Sequence, residues 1–178
     1  MSRIPLVTPQ DTTGERQALL GQIHSAFGAT PNMFRAVANS TAALKSMWGS
    51  FGALGGGVIP AALGEKIAVA IANRNACEYC LAAHTALGRK AGASSQDMSA
   101  AQGGESDDPK TAAALHFALR VVEGRGQIDD SDVAQLRSVG FNDEEIVEIL
   151  AHIALNLFTN YVNVAFAVPV DFPGVKLR

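Results

Sequence analysis

Charge is scarce in this chain of 178 residues, where Asp, Glu, Lys and Arg together make up 17%, aromatic residues 6%, and cysteine occurs twice. Fourteen basic residues against 17 acidic ones give a net charge of −3. No cluster of Lys or Arg is found along the chain, which excludes the electrostatic footprint of a nucleic-acid binder and a polybasic membrane patch. The start, MSRIPLVTPQ, has prolines at 5 and 9 and no apolar run of signal-peptide length. Secretion is therefore not expected, and the expected compartment is cytoplasmic, where a thiol pair stays reduced unless it has work to do. What the chain has in quantity is hydrophobic residues, 48%, with a mean hydropathy of +0.14. That composition fits one well-buried core, a single domain over residues 1–178. It also leaves apolar surface to be hidden by packing or association, so a homo-oligomer is expected.

Strand signals are nearly absent too. Only IAVAI at 67–71 alternates bulky and small residues in the manner of a strand. Elsewhere the punctuation is helical. Thr30-Pro31 reads as an N-cap followed by proline at the first helical position, and Ser40 opens a run that stops at Gly55-Gly56-Gly57. After Pro60 an alanine-rich segment, AALGEKIAVAIANRN, is long enough for about four turns. The segment ACEYC then opens a helix running to Gly92, and Ser94 with Asp97 reads as a capping pair for a short helix. GGESDDP at 103–109 is a loop, followed by a helix over 110–123, a break at Gly124-Arg125-Gly126 and a short helix over 130–139. Asn142 and Glu145 form a capping box for a last long helix reaching about Ala167. Tails at about 1–10 and 168–178 read as irregular.

The apolar stretch 149–170 is long enough to raise a membrane span, and its polar residues argue against one. His152, Asn156, Asn160 and Asn163 recur at helical spacing and form one stripe about 80° wide, which Glu148 extends by a turn. Such a stripe is either a buried hydrogen-bond ladder, a half-exposed face, or the lining of a site or interface.

Both cysteines lie in the nonapeptide ACEYCLAAH. Continued as a helix, Cys77, Cys80 and His84 fall on one face, with Cys80 one turn from His84 and Cys77 roughly 10 Å from it along the axis. The imidazole then belongs to Cys80, whereas unpaired N–H groups at the helix start favour a Cys77 thiolate. A zinc site lacks a fourth ligand because there is no second cysteine pair. A thioredoxin-like reading, with IAVAI as a strand feeding the C-x-x-C helix, lacks the other strands of its sheet. Two inert core thiols would account for burial but not for the spacing with histidine.

The longer pattern, Glu65, eleven residues, Cys77, one residue, Tyr79, Cys80, three residues and His84, resembles the E-x11-C-x-[HY]-C-x3-H signature of the carboxymuconolactone decarboxylase family. Its nearest branch is similar to the alkylhydroperoxidase D-like, or peroxidase-related, proteins. The match is specific over 64–88, and PNMFRAVANS and EIVEILAHIALNLFTNYVN resemble the flanking helices. The resemblance implies an all-α helical bundle, which turns IAVAI into helix, assembled as homo-oligomers. It implies Cys80 as peroxidatic thiol, Cys77 as resolving thiol, His84 as proton acceptor and Glu65 as the outer member of a proton relay. Tyr79 stands where alkylhydroperoxidase D has histidine. A phenol titrating near 10 is no base at neutral pH, so Tyr79 is expected to pack or to orient a neighbour. His152, on a helix resembling one that lies near the cysteines, is a candidate for the pocket, as is Asn156; His24 and His116 have no partner pattern. The function implied is thiol-dependent reduction of a hydroperoxide with no cofactor and no metal. A thiol donor reduces the resulting disulfide, and related proteins can use a dihydrolipoyl group for this. The alternatives are a lactone-processing decarboxylase, which needs no cysteine pair, and a non-peroxidatic redox relay or oligomeric ligand-binding protein.

Overall fold

The computed structural model describes residues 2–178, and every α-helix or strand element among them is a helix. In chain order these are α1 (Gly14–Phe27), α2 (Asn32–Val37), α3 (Thr41–Gly55), α4 (Ala61–Arg74), α5 (Glu78–Lys90), α6 (Ser95–Gln102), α7 (Pro109–Glu123), α8 (Asp130–Ser138) and α9 (Asp143–Ala165), preceded by a 3₁₀ turn at Pro9–Asp11. The all-helical expectation holds. None of these helices is long and apolar enough to cross a membrane.

The bundle is organised around α4, which packs against α5, α6, α7 and α9. Gly64, Ile67, Ala68, Val69, Ala70, Ile71 and Ala72 are all buried, so α4 is covered on every side, and a helix hydrophobic all round belongs in the core. This explains IAVAI: alanine lets neighbouring helices come close while the bulky residues fill the gaps between them. The alternation reflects crowding around a helix, not the pleat of a strand.

Capping chemistry sets most boundaries. Ser40 accepts a hydrogen bond from the Ala43 N–H, and full capping boxes close α6 through Ser94 and Asp97 and α9 through Asn142 and Glu145. Pro31 is itself the N-cap of α2, one residue later than Thr30-Pro31 implied. Helix α1 carries no such signal. Thr13 makes no side-chain cap and only Leu20 and Ile23 are buried, so its single narrow stripe is hard to see in sequence.

The turn between α4 and α5 fixes the position of the cysteines. The Ala76 N–H donates to the Asn73 carbonyl and the Cys77 N–H to the Ala72 carbonyl, with Ala76 left-handed at φ 50°. This is a Schellman closure with alanine where glycine is usual. Cys77 is therefore not inside the helix, as continuous winding through ACEYC required. It ends α4 and caps α5, its sulfur accepting the Cys80 N–H at 3.3 Å.

The termini are extended but anchored. The Arg3 N–H donates to the Phe166 carbonyl and its guanidinium to the Ala165 carbonyl, so a cation sits at the carbonyl end of α9. Met1 lies outside the described residues. At the other end Asp171 accepts the Asn32 N–H, Lys176 accepts from Gln102, and Arg178 is bonded through its backbone to Asn73.

Candidate active site

Cys77 and Cys80 are both buried and unpaired as thiols, and their environments differ. Cys77 is a capping sulfur. Hydrogen bonding from the Cys80 thiol, then from the Cys80 N–H, with the charge of His84 and the Tyr79 N–H adding to it, outweighs burial and lowers its pKa. Cys80 is pushed well above the ordinary thiol value, first by burial and then by the hydrogen bond and charge of Cys77, against the favourable contacts of Asn163 and Thr159. Of the two thiols, Cys77 is therefore the one whose thiolate is favoured.

His84, near the middle of α5, faces Glu65 on α4, with Nδ1 2.7 Å from the carboxylate Oε2. The carboxylate accepts the Nδ1 proton, which leaves Nε2 as the free lone pair of the neutral ring. Burial opposes the imidazolium, but the charge and hydrogen bond of Glu65, helped by Cys77, prevail and raise the His84 pKa. Sequence spacing put Cys80 one turn from His84, and they do share an apolar pocket, lined also by Phe27, Phe34, Phe51 and Phe172. No hydrogen bond joins them. The partner of the Cys80 sulfur is the Asn163 amide, at 3.1 Å. Cys77 instead faces a separate groove of about 200 Å³ at the end of α9, with Asn163, Val164 and Val168.

Tyr79 is a clamp. Its hydroxyl accepts the Met33 N–H at 3.2 Å and its ring meets Phe172 edge-on at 5.7 Å between centroids. Burial, with Asp171 nearby, raises its pKa beyond any working pH, so the phenol holds α2 and the C-terminal segment over the site and carries no proton away.

The polar stripe of α9 faces inward. Asn156, Asn160 and Asn163 are 5%, 0% and 4% exposed, while Val147, Leu150, Tyr161 and Val164 on the opposite face are exposed. Glu148 accepts the N–H groups of Val58 and Ile59. His152 and Asn156 join Glu65, His84 and Thr159 around a cavity of about 150 Å³. The structure therefore brings Glu65, Cys77, Tyr79, Cys80, His84, His152 and Asn156 into one region, with His152 and Asn156 on a cavity shared with Glu65 and His84 that neither sulfur lines. Neither Asn163 nor Thr159 is marked by the sequence as a partner of Cys80, although Asn163 ends the polar stripe. Phe172 and Asp171 lie in a tail that has no pattern to read.

Residues 39–124, from the turn before α3 to the end of α7, match the family model described as the carboxymuconolactone decarboxylase family. Glu65, both cysteines and His84 fall inside this segment, and α9 falls outside it. The fold is similar to that of an uncharacterized peroxidase-related protein from Silicibacter sp. TM1040, at 26% identity over 94% of this chain and 91% of that one, with a TM-score of 0.82. It is also similar to a peroxidase-related protein with an alkylhydroperoxidase AhpD core from Ralstonia eutropha JMP134, at 24% identity, 96% and 92% coverage and a TM-score of 0.85. A variant of the debrominase Bmp8 in complex with 2,3,4-tribromopyrrole aligns at 21% identity, 96% and 94% coverage and a TM-score of 0.81. The last two identities speak to the fold alone. No curated protein matches the chain.

Proposed function

We propose that the chain, whose residues 39–124 match the carboxymuconolactone decarboxylase family model, is a thiol-dependent hydroperoxide reductase. The observation that carries this reading is the placing of Cys80 and His84 on one apolar pocket while Cys77 stays in hydrogen-bond contact with Cys80. A nucleophile, a proton group and a resolving thiol are then available within about two turns at the start of α5. Cys80 gives up its thiol proton to Cys77 or His84 and attacks the terminal oxygen of ROOH. The S–O bond forms, the O–O bond breaks, and the alkoxide leaves as ROH with that proton. Cys77 condenses with the Cys80 sulfenic acid to a disulfide, releasing water. A dithiol donor, of dihydrolipoyl or similar type, restores both thiols and is itself oxidised. Cys80, Cys77, His84 and Glu65 are the working set, and Tyr79, His152 and Asn156 shape it.

The exposed apolar face of α9, Val147, Leu150, Tyr161 and Val164, is the surface we assign to self-association. A cytoplasmic setting, which keeps such thiols reduced, completes the reading.

One equivalent of cumene hydroperoxide should remove two hydrogens from the mass of the reduced protein and leave a Cys77–Cys80 disulfide. In Cys77→Ser a sulfenic acid trappable by dimedone should form on Cys80, and turnover should stop. Oxygen addition on Cys77 in a Cys80→Ser protein, with none on Cys80 in the converse variant, would reverse the assignment. Unmodified thiols in all three would end it and leave the lactone-processing reading.

The ring of phenylalanines around Cys80 favours a second oxidant of the same thiol pair, a planar halogenated aromatic. Its reduction balances as ArBr plus two thiols giving ArH, disulfide and HBr. Bromide release from a bromopyrrole in the presence of dithiothreitol measures it.

A further inference from the structure

Beside the Glu65–His84 pair lies the cavity of about 150 Å³. Its apolar wall is Phe51, Leu54, Ile59 and Leu155, and its polar wall is Glu65, His84, His152, Asn156 and Thr159. Neither sulfur lines it. Two buried polar atoms on α9, His152 Nε2 and Asn156 Oδ1, have no hydrogen-bond partner in the protein. Asn156 commits its amide to the His152 carbonyl at 2.9 Å, so only its carbonyl is left over. The His152 ring is held tightly from the α4 side, where a Cβ on Gly64 would come within 3.3 Å of Cε1. From the outer side Glu148 stands 3.9 Å from Nε2, too far for a direct hydrogen bond. Buried polar groups are normally paired with protein or with ordered water, and this cavity, largely apolar in its wall but lined also by Glu65, His84, His152, Asn156 and Thr159, has room for several waters beside those groups.

Proton supply gives those waters a purpose. When a dithiol reduces the Cys77–Cys80 disulfide, a thiolate leaves into a buried, apolar pocket, and Cys80 in particular is poor at keeping the charge. The proton it takes must reach His84 from solvent. Tyr79 cannot deliver it, because its hydroxyl is committed to Met33 and does not titrate. The cavity reaches both members of the Glu65–His84 pair.

We propose that this cavity is a water-filled proton inlet to the Glu65–His84 pair, with His152 as its proton-carrying side chain. The inlet rests on the disulfide cycle proposed above. The balance is that the incoming dithiol loses its protons to solvent as it is oxidised, and the Cys80 thiolate takes one back through His152, cavity water, Glu65 and His84. The charged and titratable groups around His152 are Glu148 on its own helix, Glu65 on α4 and His84 on α5. Burial keeps His152 below the usual imidazole value, against the pull of Glu148 and Glu65, so the ring is neutral at rest and free to accept and pass a proton.

The test uses the full chain, oxidised to its disulfide with diamide and reduced by dithiothreitol, so it requires no peroxide turnover. The quantity read is the ratio of variant to wild-type rate across pH, in which the ionisation of dithiothreitol cancels. For His152→Gln the ratio should be near one at pH 5.5 and fall about tenfold by pH 8, less than the 10²- to 10⁴-fold of a donor in direct contact. Asn156→Leu, of similar shape but unable to hold water, should do the same and enlarge the solvent deuterium isotope effect. In His152→Ala, added imidazole should restore the rate, which guards against a folding defect in the glutamine variant. A crystal structure should show water joining Glu65 to His152. A pH-independent ratio, no rescue by imidazole, or a dry cavity would overturn the inlet. If peroxide fails to turn over while the reduction ratios behave as stated, the proposed peroxidase fails and the inlet stands. Peroxide turnover with flat ratios would leave the peroxidase standing and remove the inlet.

Discussion

Replacing Asn163 by leucine separates chemistry from stability at one buried position. The Asn163 amide donates to the Cys80 sulfur at 3.1 Å, whereas its carbonyl oxygen has no partner. A hydrogen bond to a charged acceptor contributes about 1.5–3 kcal/mol, and one pKa unit is about 1.36 kcal/mol. Loss of the amide should therefore raise the already raised Cys80 pKa by about one to two units. The thiolate fraction at neutral pH falls about 10- to 100-fold. A more basic thiolate is also a better nucleophile, and with a Brønsted coefficient of about 0.4–0.5 roughly half of the logarithmic loss returns. The net fall in sulfenic acid formation is about 3- to 12-fold. Stability should not follow. Removing an amide whose carbonyl is unpaired, in favour of an isosteric apolar side chain, is close to neutral or stabilising. Dimedone trapping at pH 7 in a Cys77→Ser background gives the rate, and a urea titration gives the midpoint. An unchanged rate would refute the thiolate contact, and a midpoint that falls in step with the rate would refute the separation of the two effects.

Glu65→Gln should show a stability defect that depends on pH in one direction. The His84 pKa is raised in the folded state, so the contribution of that ionisation is fully present below the usual value of about 6.5 and is lost as pH rises through the folded value. The gap in melting temperature between wild type and Glu65→Gln should be widest near pH 6 and narrow towards pH 9. Ala76→Gly should stabilise by up to about 1 kcal/mol in chemical denaturation, because a left-handed alanine costs 1–2 kcal/mol and the greater freedom of glycine when unfolded offsets part of it. Light scattering should give more than a monomer mass for the wild type, and Leu150→Glu combined with Tyr161→Glu should reduce it while leaving the helical circular dichroism intact.

The sequence was informative where local chemistry decides the structure. Ser40, Ser94 with Asp97, and Asn142 with Glu145 are capping signals that work without help from the rest of the fold, and each marked its helix. The family resemblance, not local spacing, implied a carboxylate and an imidazole on adjoining helices, and Glu65 and His84 lie 2.7 Å apart. What failed was continuous winding through Cys77. A left-handed residue is expected to be glycine or asparagine, and Ala76 gives no such warning. Helix α1 was silent because two buried residues make too weak a stripe. The contact of Asn163 with Cys80 spans 83 positions, and no local pattern contains it, although a polar stripe on an apolar helix was the trace of it.

That stripe also explains how a tyrosine can stand at position 79. If a histidine there were the only link between the thiols and solvent, its replacement by a phenol that cannot titrate would close the route. In this chain the phenol is occupied as a clamp for Met33 and Phe172, and Glu65 from α4 and His152 from α9 line a cavity with His84. On the reading proposed above, substrate enters the phenylalanine-lined pocket around Cys80 and protons pass through the separate cavity beside Glu65 and His84. Such a division requires α9 to turn its asparagines inward and its valines, leucine and tyrosine outward. An outward apolar face is costly in water unless it is covered. The internal polarity of the site and the self-association proposed above would then be two consequences of one helix, and disrupting the association should leave the Glu65–His84 contact intact.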